Sequence, residues 1–202
     1  MSTAPYKTAI TDYIRANARP THKFSHQARL YRLATALAGE NAIDDDVVFG
    51  AAWLHDLGVF IGHRPADPAA LVAWDHIGYA CRQAPGVLER AGFPVHKIPA
   101  VLEVIRTHMP RSEPVSLEGC LVHDADILEQ LGGVGILRTV SKVGQDTRFR
   151  FFSDALRALG TNAEELASQL TLESARTLAL PRLRLLREFL SGCEQEAQGI
   201  EW

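Results

Sequence analysis

The sequence predicts an all-α fold, a single-domain helical bundle, and three observations predict it. Apolar residues recur at helical spacing in segment after segment, and nothing alternates in the manner of a β-strand. Neither an internal repeat nor a low-complexity tract interrupts the pattern. At 202 residues the chain fits one domain of ordinary size with a substantial buried core.

The elements follow in order. Thr8 to Ala18 carries Ile10, Tyr13 and Ile14 on one stripe and reads as a short amphipathic helix. Ser25 is a good N-cap type; from it Ala28, Tyr31, Leu33, Ala34, Leu37 and Ala38 form the wide apolar stripe of a core-facing helix that Gly39 ends. Asp44, Asp45 and Asp46 put negative charge where a helix N-terminus favours it. Val47 to Leu57 comes next as a nearly all-apolar buried helix, stopped by Gly58. Gly58 to Pro68, with Gly, His and two Pro, reads as a loop able to cover a pocket. Ala69 to Arg82 is helical again, and Pro85-Gly86 is expected to break or kink the next segment. Val95 to His108 places Ile98, Val101, Leu102 and Ile105 on its inner face and ends at Met109, because Pro110 disfavours helix at the residue before it. A polar loop, Met109 to Ser116, leads into a helix from Leu117 to Leu131. Gly132-Gly133-Val134-Gly135 then makes a tight bend where two helices approach closely. Phe149 to Leu159 and Glu173 to Leu190, the latter rich in Leu and Arg, complete the set.

Composition excludes several classes. Apolar residues make up 47% and charged residues 22%, an ordinary soluble balance rather than a disordered or membrane-embedded one. A formal charge of −3 gives no pull towards a nucleic-acid polymer or anionic lipid, so neither is expected as a partner. No apolar run approaches the roughly 18 residues a membrane span needs. Met1 to Ile10 lacks the order of charged region, apolar core and cleavage site that marks a leader. Cys81, Cys120 and Cys193 are odd in number and far apart, which argues against a disulfide framework or a zinc-thiolate site. They read as buried free thiols, and a reducing cytoplasm is the expected location.

Five polar residues stand out against this background: His26, the pair His55-Asp56, and the doublet Asp124/Asp126. They offer two imidazoles and at least two carboxylates, a mixed nitrogen and oxygen set that suits a divalent metal with open coordination positions. His55-Asp56 emerges from Ala51-Ala52-Trp53-Leu54, a segment that should be buried, so a cation is expected beside the carboxylate. Asp124 and Asp126 lie two apart on a helix and point about 200° from one another at about 100° per residue. One of them is expected to face a shared centre, and periodicity leaves the choice open.

The order His, His-Asp, Asp on successive helices resembles the HD superfamily of metal-dependent phosphohydrolases, in its small bacterial single-domain form. The segments that carry the resemblance are Ser25 to Arg29, Ala51 to Gly58, Asp75-His76, Ile105 to His108, and Asp124 to Gly132 followed by Gly135 to Arg138. It covers roughly residues 22 to 190, leaving 1–21 as an N-terminal helical segment packed on the domain and 191–202 as a C-terminal tail.

The resemblance implies His26, His55, Asp56 and Asp126 as metal ligands, with Asp124 a supporting carboxylate. The ion is divalent, one of Mn, Fe, Co, Ni, Mg or Zn. Asp56 also serves catalysis. His76 and His108 match positions that bind a second metal in some branches and touch substrate or move protons in others; the latter roles are expected here. Arg29, one turn after His26, and the loop residues Arg64 and Arg111 are the expected phosphate contacts, with His63 of similar standing. His22, His96 and His123 read as structural or exposed. Where the family often has Arg after the last ligand Asp, and Asp two beyond it, this chain has Ile127 and Glu129, which removes one cation from the phosphate site.

The expected activity is hydrolysis of a phosphoester or phosphoanhydride bond of a small nucleotide-like substrate by metal-activated water. The resemblance also admits a lyase or hydratase, a di-iron oxygenase acting on a small non-phosphate molecule, or a regulatory module without turnover.

Overall fold

The computed structural model describes residues 4–21, 23–146 and 148–199. Among them every regular element is helical. The α-helices are α1 Pro5–Asn17, α2 Lys23–Ala38, α3 Asp45–Leu54, α4 Pro68–Val72, α5 His76–Ala91, α6 Ile98–Arg106, α7 Leu117–Glu129, α8 Gly132–Val140, α9 Phe152–Glu165 and α10 Glu173–Ala197. The all-α expectation holds.

The chain divides into two compact units, one ending at Ala125 and one beginning at Asp126, within α7. In the first, α3 is the central helix. All of Val47 to Leu54 is buried, as a run without a polar face requires. Helices α1, α2 and α6 pack against it, and α5 packs on α1 and α6. An aromatic ladder joins α2 to α3: Phe24 meets Trp53 at 5.6 Å and Tyr31 meets Phe49 at 5.2 Å between ring centroids. In the second unit α8, α9 and α10 pack on one another, with Ala155, Leu159, Ala175, Ala179, Leu183 and Leu186 buried.

A charged clasp fixes the start of α3. Asp44 caps the helix, its carboxylate accepting from the Asp46 and Val47 amides. Lys97 donates to Asp44 at 2.8 Å and to Asp46 at 2.7 Å, while Tyr6 donates to Asp46 and Lys7 to Asp45 from α1. Burial pushes the Asp46 carboxyl up, but Lys97, Tyr6 and Lys7 outweigh it and hold the group below its ordinary value.

Several boundaries differ from the sequence expectation. Helix α2 begins at Lys23, so Ser25 is not its cap; the Ser25 hydroxyl accepts from Arg29 at 2.9 Å instead. The expected helix over Ala69 to Arg82 is two helices, because the Asp75 carboxylate accepts from the Gly78 amide and starts α5 afresh at His76. Pro85 does not break α5. Its cost of about 3 kcal/mol is set against a buried stripe of Ala80, Ala84, Val87 and Leu88. Val95 to Lys97 is a 3₁₀ turn ahead of α6, and α9 starts at Phe152 rather than Phe149. Helix α10 runs on to Ala197, so most of the expected tail is helical; residues 200–202 lie outside the described residues. The three cysteines are free but half-buried rather than buried. No described helix is long and apolar enough to cross a membrane.

Candidate metal centre

Helix α3 stops at Leu54, three residues before the Leu57 expected from sequence. His55 caps it, its amide donating to Ala51, and a 3₁₀ turn over Leu57–Val59 follows. The histidine and the aspartate therefore sit at the exit of a buried helix, where the chain turns and side chains can converge. Gly58 makes the turn possible: a Cβ there would stand 2.4 Å from the His76 carbonyl oxygen, so only glycine lets the turn lie against the start of α5.

His26 enters from α2. His26, His55 and Asp56 each offer a ligand atom within 4.8 Å of the others. The His26 Nε2 is 3.7 Å from Asp56 Oδ2 and the His55 Nε2 is 3.6 Å from Asp56 Oδ1, both too long for hydrogen bonds. Donor atoms about 2.1 Å from a common ion stand about 3.0–3.6 Å apart at ligand angles of about 90–120°. The two distances to Asp56 lie at or just beyond the upper end of that range, so the group is close enough together to hold a divalent ion. It is also largely buried: the His26 and His55 side chains are 3% and 1% exposed and that of Asp56 13%.

The tautomers suit the role. His55 Nδ1 lies 3.0 Å from the Ala52 carbonyl, which can only accept, so Nδ1 carries the proton and Nε2 presents its lone pair. His108, buried at the end of α6, repeats the device, with Nδ1 donating to the Ile105 carbonyl at 2.7 Å. The rings form a series: His26 to His55 at 5.3 Å, His55 to His108 at 4.9 Å, and His108 to His76 at 6.4 Å between centroids. His76, half-buried at the first position of α5, is the open end of that series.

The segment after Asp56 is a strap held at several points. The Trp74 indole donates to the Gly58 carbonyl at 2.7 Å, and the Ile61 amide donates to the Arg19 carbonyl at 3.0 Å. His63 stands between Tyr79 Oη at 3.2 Å and Asn17 Oδ1 at 3.5 Å, and burial pushes its imidazole below the ordinary value. Trp74 and Tyr79 were not expected from sequence to hold the site; the only signal was an aromatic residue just before the Asp75 cap. Arg64 lies half-buried in the strap, Arg111 is exposed in the loop after His108, and Arg29 contacts Ser25 one turn from His26. His96 is exposed and His22 lies outside the described residues.

His123, by contrast, is wholly buried, set between Asp124 Oδ1 at 2.7 Å and the Pro110 carbonyl at 3.2 Å. It ties the loop that follows His108 to α7. Asp124 is fully buried in this contact, whereas Asp126, the first residue of the second unit, is 8% exposed and meets the Gln130 amide at 3.3 Å.

The chain is thus an all-α protein in which two imidazoles and a carboxylate at a helix exit lie close enough together to hold a metal ion. The family model of the HD domain matches residues 24–131, and the chain belongs to that family. It is 27% identical over 190 residues to the uncharacterized protein YpgQ of Bacillus subtilis, spanning 89% of this chain and 86% of that protein. The crystal structure of Bacillus subtilis YpgQ in complex with ADP superposes with a TM-score of 0.73 at 21% identity, covering 96% of this chain and 100% of that one. An HD-superfamily hydrolase from Bacillus thuringiensis gives 0.68 at 21% identity, covering 96% of this chain and 97% of that one. The fold is that of the HD-superfamily hydrolases.

Proposed function

We propose that this chain is a metal-dependent phosphohydrolase that cleaves a phosphoester or phosphoanhydride bond of a small nucleotide-like substrate. One observation carries the reading: His26, His55 and Asp56 each bring a ligand atom within 4.8 Å of the others, close enough to hold one ion. That the similar YpgQ has been crystallised with ADP supports a phosphate-bearing substrate.

His26, His55 and Asp56 hold the ion, with Asp126 as the further ligand that the family resemblance assigns. A bound divalent ion supplies a Lewis acid for a phosphoryl oxygen and lowers the pKa of water at the site. His108 has its Nδ1 proton committed to Ile105, so Nε2 is the atom that accepts a proton from the attacking water. Asp56, beside both imidazoles, would also help to orient that water. His76, at the open end of the ring series, exchanges the proton with solvent and delivers it to the leaving oxygen. Arg29, Arg64 and Arg111 bind phosphate oxygens, Arg64 from the strap and Arg111 from the loop after His108. The free thiols fit a reducing compartment such as the cytoplasm.

The test is a turnover screen of metal-free protein reloaded with Mn, Fe, Co, Ni, Mg or Zn against nucleotides and generic phosphoesters. Turnover should return with at least one ion; none with any ion on any phosphoester would contradict the proposal. The adjoining His108 and His76 rings favour one alternative, a two-iron oxygenase in which they bind a second ion. Two irons per chain with oxygen-dependent turnover would establish it.

A further inference from the structure

His108 lies just outside a helix. Helix α6 ends at Arg106, Thr107 caps it, and His108 falls in the link that runs to Ser116. Its ring supplies one hold, the bond from Nδ1 to the Ile105 carbonyl at 2.7 Å. Connecting segments move more than the elements they join, so a ring that must keep one direction needs a second hold on its backbone.

His123 supplies that second hold. It projects from α7, wholly buried, with Nδ1 2.7 Å from Asp124 Oδ1 and Nε2 3.2 Å from the Pro110 carbonyl oxygen. The carbonyl can only accept, so Nε2 carries a proton there. Asp124 fixes the orientation of this ring, as the Ala52 and Ile105 carbonyls fix those of His55 and His108. The difference lies at Nε2. In His55 it faces Asp56, whereas in His123 it is committed to the backbone two residues beyond His108.

Proline carries the effect of that bond back along the chain. Its ring fixes φ near about −65° and disfavours helical conformations at Met109. Holding the Pro110 carbonyl therefore sets the direction in which the chain leaves His108. The far end of the link is pinned separately: Ser116 Oγ donates to Glu103 Oε2 at 3.0 Å and accepts from the Gly119 amide at 3.0 Å.

We infer that His123 is a positioning residue: through the Pro110 carbonyl it holds the His108 imidazole against the metal cluster. The inference rests on the proton-accepting role proposed above for His108, whose ring lies 4.9 Å from that of His55 between centroids. All of these residues belong to the first unit.

The test is nitrogen-15 NMR of the histidine rings in the full chain, for the wild type, His123→Gln and His123→Asn. Thermal unfolding accompanies it, with steady-state kinetics on whichever nucleotide the metal screen identifies. A glutamine amide reaches the place of Nε2 and keeps a donor on Pro110. An asparagine amide reaches only the place of Nδ1 and keeps the contact with Asp124. Each variant gives up one of two buried bonds, so both should lose Tm to a similar extent. In the wild type, His123 should carry a proton on Nε2 and the neutral His108 ring a single proton on Nδ1. A bare Nε2 on His123 would overturn the inference without any variant. His123→Gln should leave the His108 pattern and kcat as in the wild type. His123→Asn should put His108 into mixed tautomers and lower kcat about tenfold at unchanged KM, a part of the roughly 10²–10⁴-fold that a general base contributes. If the two variants affect His108 alike, the hold on Pro110 does not position it and the inference falls. Absence of turnover in the wild type would refute the hydrolase reading, while the ring spectra would still decide the hold on His108.

Discussion

His55 shows how much of a site can be set by one side chain and one carbonyl. Its Nδ1 proton is committed to Ala52, so Nε2 faces Asp56 as a lone pair, at the end of a helix with no polar face of its own. Replacing it with Ala should abolish both metal retention and phosphoester turnover; full metal content by elemental analysis of His55→Ala would contradict the assignment. The two aspartates of α7 divide differently. Asp124 is committed to His123 in a fully buried contact, so Asp124→Ala should cost about 1–3 kcal/mol of stability with metal affinity largely kept. Asp126→Ala should instead lower the affinity by at least about tenfold. Equal losses of affinity would erase the distinction. The pair His55-Asp56 is visible in the sequence because polar groups at the end of an apolar run stand out, whereas His26 is singled out by the order of the family segments. Sequence reading left the two aspartates open because helical spacing gives a direction and no partner, and the partner of Asp124 is a neighbouring histidine that looked unremarkable.

At the level of elements, the turn after α3 and the clasp before it matter most. A Gly58→Ala substitution would force a methyl group onto the His76 backbone, separating the turn from α5. It should destabilise the protein by about 1–3 kcal/mol in urea unfolding and reduce turnover; wild-type stability would show that the contact is not close. The clasp makes a pH prediction. Asp46 is held below its ordinary value, so its contribution is present above about pH 4, the unfolded aspartate value, and is lost as pH falls through the folded value. Lys97, bonded first to Asp44 and then to Asp46, is held above its ordinary value, so its contribution is intact below about pH 10 and fades as pH rises through the folded value. Lys97→Met should therefore cost about 1 kcal/mol at pH 7 and less once the pH is well below about 4, measured by thermal unfolding. An equal cost at both would rule out the charge as its source. The apolar stripes were legible as helices, but the ends were not: Asp75 restarts a helix by capping it, and burial carries α5 through Pro85, and neither effect has a periodicity.

For the molecule as a whole, ion binding and folding are linked. The ligands come from separate helices, so an ion bound among them should stabilise the native chain over the unfolded one. At 100 times its Kd the gain is about 2.7 kcal/mol, equivalent to about 5–10 °C in Tm at this chain length. A chelator should remove that increment from the wild type and leave His55→Ala unmoved. The all-helical class could be read along the chain, whereas the division at Ala125/Asp126 falls inside a continuous helix and leaves no mark in composition. The most direct measurement is anomalous diffraction from crystals grown with Mn²⁺. A peak within bonding distance of His26 Nε2, His55 Nε2 and the Asp56 carboxylate is the predicted result. Manganese bound only at other residues, with those three side chains turned away from one another, would contradict it.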